Sequence, residues 1–206
     1  MNPKLLATPL LLGAALTLAA CAGGSFGSYT LVRPQQVRVS DGAMIVTPGE
    51  RWNRLPSSFY DISEEENWTL NGPILDSVTF IGGLRDGKDI VRQRRREDRL
   101  VPRFRANMTP PELVGMIESF YRIRGGYTQF TTTNLAPVNF LGAPGFRFDF
   151  DHLSTNEVKR RGRAYGAVIG NRLYLMLLDG ARLHYFDRAL PDFERMAQSA
   201  RLRAQG

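Results

Sequence analysis

The chain has 206 residues, a hydrophobic content of 43% and a formal net charge of +7 at pH 7. That length suits one domain plus a tether, and an apolar content this high excludes a chain disordered throughout. A single cysteine excludes an internal disulfide, and only two histidines leave few ligands for a zinc centre.

In chain order, residues 1–20 have the three parts of a secretory signal: Lys4, an apolar run from Leu10 to Leu18, and small residues ending at Cys21. The run is too short for a stable membrane span. The order Leu18-Ala19-Ala20-Cys21 resembles the lipobox of bacterial lipoprotein precursors. The resemblance implies cleavage before Cys21, a diacylglycerol on its thiol and an acylated amine. Two or more acyl chains give stable attachment where one is marginal. Position 22 is Ala and not Asp, which in a Gram-negative host implies sorting to the outer membrane, facing the periplasm. A lipidated Cys21 is also lost to catalysis and metal binding. Basic charge favours anionic partners, and export argues against nucleic acid.

The small and polar run Ala22 to Ser28 is expected to be a flexible tether, and Tyr29 to Val39 an extended arm. The expected organisation is a signal over 1–20, a lipidated cysteine, tether and arm over 21–42, and one α+β domain over 43–206. Ala43 to Thr47 predicts a short strand ended by Pro48-Gly49. Arg51 to Tyr60 is expected to be a loop. Trp68 to Leu70 and Ile74 to Ile81 predict a hairpin around Asn71-Gly72. Leu84 to Val91 predicts a strand pair around Asp86-Gly87. Thr109 and Glu112 form a capping box, Pro110 suits the first helical position, and Leu113, Met116, Ile117, Phe120 and Tyr121 recur at helical spacing. Gly125-Gly126 ends that helix.

The second half is strand-rich. Tyr127 to Phe140 and Gly145 to His152 flank an expected turn over Gly142 to Gly145. Phe146, Phe148 and Phe150 alternate with Arg147, Asp149 and Asp151, predicting one buried face and one exposed charged face. Gly162 to Ile169 and Arg172 to Leu178 form a predicted hairpin at Gly170-Asn171. The apolar stretch Leu173 to Leu178 requires cover on both faces. A last helix is expected from Pro191, burying Phe193, Met196, Ala197 and Ala200. The fold expected is α+β: a mostly antiparallel sheet of six or seven strands with a helix on each face.

Gly142-x-x-Gly145-Phe146-Arg147, the Gly170-Asn171 hairpin, the Leu173-Tyr174 strand and the closing helix to Arg201 resemble the PsbP-like superfamily over roughly Met44 to Leu202. The resemblance implies an α-β-α sandwich on an antiparallel sheet and a binding or assembly-assisting role. It brings no catalytic residues with it. The lipid anchor and an arginine-rich segment are departures from that group.

That segment holds Arg92, Arg94, Arg95, Arg96 and Arg99, followed by Arg103 and Arg105. Guanidinium groups make forked bonds to phosphate and carboxylate, so Arg92 to Arg99 is the expected anion-binding site, for anionic lipid, lipopolysaccharide or an acidic protein. The alternative is a solvated loop with local ion pairs. Lys159, Arg160, Arg161 and Arg163 join the patch only if the fold brings them there. Asp149, Asp151 and His152 have metal-ligand chemistry but also suit an exposed strand face. His184 and Asp187 sit at the edge of a helix, where Asp187 or Asp192 suits a cap. Glu64-Glu65-Glu66 suits acid–base work or a solvated loop. Trp52, Trp68, Phe59 and Tyr60 suit a binding groove or the core. No H-E-x-x-H is present, and the G-x-S-x-G match at Gly23 to Gly27 falls in the expected tether and not on a strand-to-helix turn. The expectation is a non-enzymatic envelope lipoprotein with no cofactor or metal, against a rival hydrolase or metal-dependent enzyme acting on envelope material.

Overall fold

The computed structural model describes residues 28–93 and 101–203. The main sheet has eight strands, β1 (Thr30–Val32), β4 (Trp52–Arg54), β5 (Glu65–Thr69), β6 (Asp76–Arg85), β7 (Thr128–Phe140), β8 (Ala143–Leu153), β9 (Lys159–Ile169) and β10 (Arg172–Ala181). Their order is β1-β4-β5-β6-β10-β9-β8-β7, with every neighbouring pair antiparallel. A second sheet of three short strands joins β2 (Val37–Val39), β3 (Met44–Val46) and β11 (Arg201–Leu202) in the order β11-β3-β2. The helices are α1 (Pro110–Gly125) and α2 (Tyr185–Ser199).

The α+β class and the antiparallel sheet agree with expectation, whereas the strand count exceeds six or seven. The additions are three-residue strands. Thr30–Val32, within the expected arm, pairs with Trp52–Arg54, within the expected loop. Three residues cannot display a two-residue alternation, so long-range pairing decides such segments.

Helix α1 forms where its caps and spacing require. The Thr109 N–H donates to the Glu112 carboxylate at 2.7 Å, and Gly126 takes the left-handed conformation at φ 65. Its buried residues are the five at helical spacing, Leu113, Met116, Ile117, Phe120 and Tyr121. Helix α2 starts six residues earlier than the proline signal implied, at Tyr185, with Pro191 inside it. The earlier turn forms because Phe186 and Ala189 extend the buried stripe of Phe193, Met196 and Ala197; Ala200 is only half-buried.

Strand β10 alternates between two cores. Leu173, Leu175 and Leu177 join the cluster that holds the α1 side chains. Met176 and Leu178 join the cluster that holds those of α2 and the small sheet. The β9–β10 turn is the expected one, with Gly170 at φ 57 and Asn171 at φ 59. The β7–β8 turn instead falls on Leu141 and Gly142, at φ 57 and 78, so Ala143 to Gly145 are already strand. The β5–β6 connection is longer than two residues, running from Leu70 to Leu75. Beyond Arg85 the expected second strand is only a single bridge between Asp89 and Arg103.

Large and small residues interlock between β8 and β9. Phe146, Phe148 and Phe150 lie opposite Gly166, Ala164 and Gly162. A Cβ on Gly162 would come 1.9 Å from the Phe150 ring. The three rings are buried together as expected. The opposite face is not simply solvated: Asp149 and Arg147 are half-buried, and Asp149 is paired with Arg163 at 2.6 Å.

Candidate functional site

An open basin of about 840 Å³ lies where the small sheet meets one end of β6 and β10. Gly82 and Gly83 line it. The register of β6 on β10 shifts here, and Gly83 is the residue skipped, at φ 79: a bulge that re-aims neighbouring side chains. A Cβ on Gly82 would sit 2.6 Å from the Ser40 Cβ, so only glycine lets the β2–β3 turn approach. That turn holds Ser40 and Asp41 at φ 52 and 54.

Arg85, Arg172 and Arg203 line the basin. All three are exposed, and Arg172 and Arg85 are directly opposite in the ladder. Arg172 donates to the Gly83 carbonyl at 3.2 Å. None of the three forms an ion pair with a carboxylate among the described residues, although Asp41 and Glu64 stand on the same rim. Ser40 is 1% exposed, lines the same basin, and its hydroxyl has no hydrogen-bond partner among the described residues. A buried hydroxyl left unpaired is costly and asks for a partner.

The other arginines are mostly engaged internally. Arg103 pairs with Asp89 at 3.2 Å and Arg105 with Asp86 at 4.0 Å. Arg161 pairs with Asp151, and Arg163 with both Asp149 and Glu194. Arg160 is buried against Asp179 at 3.0 Å. Arg92 is exposed and lines a hollow with Asp41 and Ser63, both of which also border the basin. Arg94, Arg95, Arg96 and Arg99 lie outside the described residues, as does Cys21. Lys159 to Arg163 begin β9 opposite the far end of β10, so they do not join the segment at Arg92.

The expected metal trio is split by strand alternation. Asp149 and Asp151 point to one face, where each meets an arginine, while His152 points to the other. Burial works against ionisation of Asp149, but hydrogen bonds from Arg163 and Asn134 hold its carboxyl below the usual range. His152 is buried, with Nε2 3.0 Å from the Asp179 carboxylate. A carboxylate accepts, so the tautomer that makes this bond is the one with Nε2 as donor; Nδ1 has no partner among the described residues. His152 packs against Tyr121 and Tyr127, with ring centroids 5.2 and 4.6 Å away. Burial, then the Asp179 charge, pushes both phenols above their ordinary range. Asp179 is shielded by Arg160 and His152 at the edge of a second cleft of about 370 Å³, which Phe59, Tyr121 and Tyr127 also line. No hydroxyl hydrogen-bonds to His152 among the described residues. His184 is exposed just before α2, at φ 84; Asp187 lies in the first helical turn.

Of the three glutamates, Glu64 lies in the turn before β5, but the other two are not in a solvated loop. Glu65 and Glu66 lie in β5 and are 2% and 7% exposed. Glu65 accepts from the Asp61 N–H, Asn67 and Arg124. Glu66 accepts from the Ser40 N–H and the Trp68 indole, and pairs with Arg54 at 2.7 Å. Burial lifts its pKa, opposed by Arg54 and these donors. Trp52 and Trp68 are core residues at 0% exposure, so they form no open groove; Tyr60 donates to the Leu55 carbonyl at 2.8 Å. Asp192 accepts from the Gly49 and Glu50 N–H groups and from Trp52 Nε1, at 2.7, 3.1 and 2.7 Å. It therefore ties the loop before β4 to α2 and does not cap the helix.

Sequence reasoning missed Arg85, Arg172, Arg203 and Ser40, which are scattered along the chain. The available signals were Gly82-Gly83 and Asp41-Gly42, two glycine-marked irregularities beside strands.

A scan of protein-family models finds no match to this chain, and no curated protein matches its sequence. Among solved structures, cyanobacterial PsbP (CyanoP) from Synechocystis sp. PCC 6803 is similar at a TM-score of 0.56 and 14% identity, covering 90% of this chain and 99% of that one. The Ran-binding protein Mog1p of Saccharomyces cerevisiae gives a TM-score of 0.49 at 10% identity, covering 85% of this chain and 96% of that one. The chain therefore has a PsbP-like fold, an antiparallel sheet with two helices.

Proposed function

We propose that this chain is a non-enzymatic lipoprotein of the bacterial outer membrane, tethered through lipid on Cys21 and facing the periplasm, that grips an acidic protein partner at the arginine basin. The observation that carries this is three exposed arginines around one basin that form no ion pair among the described residues, beside a buried Ser40 hydroxyl without a partner among them. Asp41 and Glu64 on the rim repel a multiply charged phosphate but suit a partner with interspersed carboxylates and bases. On this reading α1 and α2 cover opposite faces of the sheet and leave its ends free for contact. Arg92, exposed at a hollow that shares Asp41 and Ser63 with the basin, adds charge there. Acyl chains on Cys21 are checked by the intact mass of the membrane-extracted protein.

The binding test replaces Arg85, Arg172 and Arg203 together with Gln and titrates a labelled peptide of interspersed Glu and Lys at low and physiological salt. Each exposed pair contributes up to about 1 kcal/mol, so loss of three should weaken binding about 10- to 100-fold. The wild-type affinity should fall with salt. Equal affinity in parent and variant would remove the basin from the account. Tighter binding of lipopolysaccharide than of the peptide would instead assign the basin to an envelope phosphate.

A further inference from the structure

Three exposed aliphatic side chains lie at the opposite end of the sheet from the basin. Leu183 is 88% exposed, Ile74 76% and Val158 36%. They belong to three loops: β10–α2, β5–β6 and β8–β9. Backbone contacts hold these loops together. The Ala181 N–H donates to the Leu75 carbonyl at 2.9 Å, and the Arg182 N–H to the Lys159 carbonyl at 2.9 Å. Buried Arg160 donates to the Ile74 carbonyl at 2.6 Å. The tips are thus presented by an anchored frame.

The tether enters near this end. Thr30 pairs with Arg54, Arg54 with Trp68, and Trp68 with Val78. Val78 lies two positions from the Asp76 start of β6 and seven from Arg85 at the basin. A fully extended residue spans at most about 3.6 Å, so the short segment after Cys21 keeps the domain within roughly 30 Å of the bilayer. Some end of the domain must then lie close to the lipid, and the aliphatic end is nearest the attachment.

We infer that the end carrying Ile74, Val158 and Leu183 rests on the membrane to which the chain is tethered, with these side chains dipping into the headgroup layer. The inference rests on the lipid anchor proposed above. Lys159 and Arg182 are exposed beside the tips, as are Glu157 and Asp187. Apolar burial therefore carries the contact, with the long basic side chains reaching the headgroups. The orientation turns the arginine basin toward the periplasm, along the length of β10.

The test uses the lipidated full chain reconstituted in vesicles of phosphatidylethanolamine and phosphatidylglycerol. Leu183→Cys and, as control, the exposed β7 residue Leu135→Cys each carry an NBD label, the native cysteine being blocked by lipid. The expected result is a blue-shifted emission at position 183, quenched by lipids spin-labelled near the headgroup, with water-like unquenched emission at 135. Co-flotation with the vesicles but equal, unquenched emission at both positions would overturn the inference and leave the anchor standing. Protein that fails to float with the vesicles would overturn both.

Discussion

Phe148→Ala is expected to destabilise the domain by about 3–5 kcal/mol, the usual cost of emptying an aromatic site in a packed core. Phe148 is 0% exposed and lies between Phe146 and Phe150, with ring centroids 6.2 and 5.7 Å away. Its opposite number on β9 is Ala164, too small to fill the space, and the remaining walls belong to the α1 cluster. Urea unfolding followed by circular dichroism should show a lower midpoint with an unchanged slope. Asp149→Ala should cost less, roughly 1–3 kcal/mol for charge-assisted hydrogen bonds to Arg163. A larger loss for Asp149→Ala than for Phe148→Ala would contradict the assignment of strand faces.

Asp179→Ala is expected to cost about as much, roughly 3–5 kcal/mol, for a different reason. Arg160 is 3% exposed, and Asp179 accepts from its Nε through both oxygens, at 3.1 and 3.0 Å. Removing the carboxylate strands a buried cation and also takes the partner of His152 Nε2. The double variant Asp179→Ala with Arg160→Met should recover part of the loss, because removing both charges abolishes the desolvation penalty that one alone leaves. Denaturation of the single and double variants at neutral pH measures this coupling. A double variant less stable than Asp179→Ala would show that the pair is held mainly by packing.

The elements legible in the sequence were those whose signals are local. The capping box and five spaced apolar residues specify α1, and the paired positive φ angles at Gly170-Asn171 close the β9–β10 hairpin. The apolar run in β10 foretold two cores, because successive strand residues face opposite ways. What was illegible depends on partners far away in the chain. Glu65 and Glu66 resemble a solvated acidic run until Arg124 and Arg54 reach them. Asp192 resembles a helix cap until the Gly49–Glu50 loop folds onto it. Pro191 suggested a helix start because proline favours the first turn, yet buried Phe186 and Ala189 pull the helix onset ahead of it.

The candidate site was legible only in part. A run of arginines is conspicuous in the sequence, and its first member, Arg92, lies at a hollow that shares Asp41 and Ser63 with the basin. The basin arginines themselves carry no local signal. Arg85 ends β6, Arg172 begins β10, and Arg203 follows β11; only the sheet order brings the first two opposite one another. The unpaired Ser40 hydroxyl is a product of the tight β2–β3 turn and has no counterpart in composition or spacing.

Occupation of the basin by a partner's acidic groups, as proposed, can be read in the native envelope by arginine-specific footprinting with phenylglyoxal. Lipidated protein is labelled in intact envelopes and, separately, after purification, and adducts are mapped by mass spectrometry. Arg85, Arg172 and Arg203 should be protected in the envelope and become reactive once purified, while the exposed Arg33 and Arg51 react equally in both. Equal reactivity of the three basin arginines in both settings would contradict it.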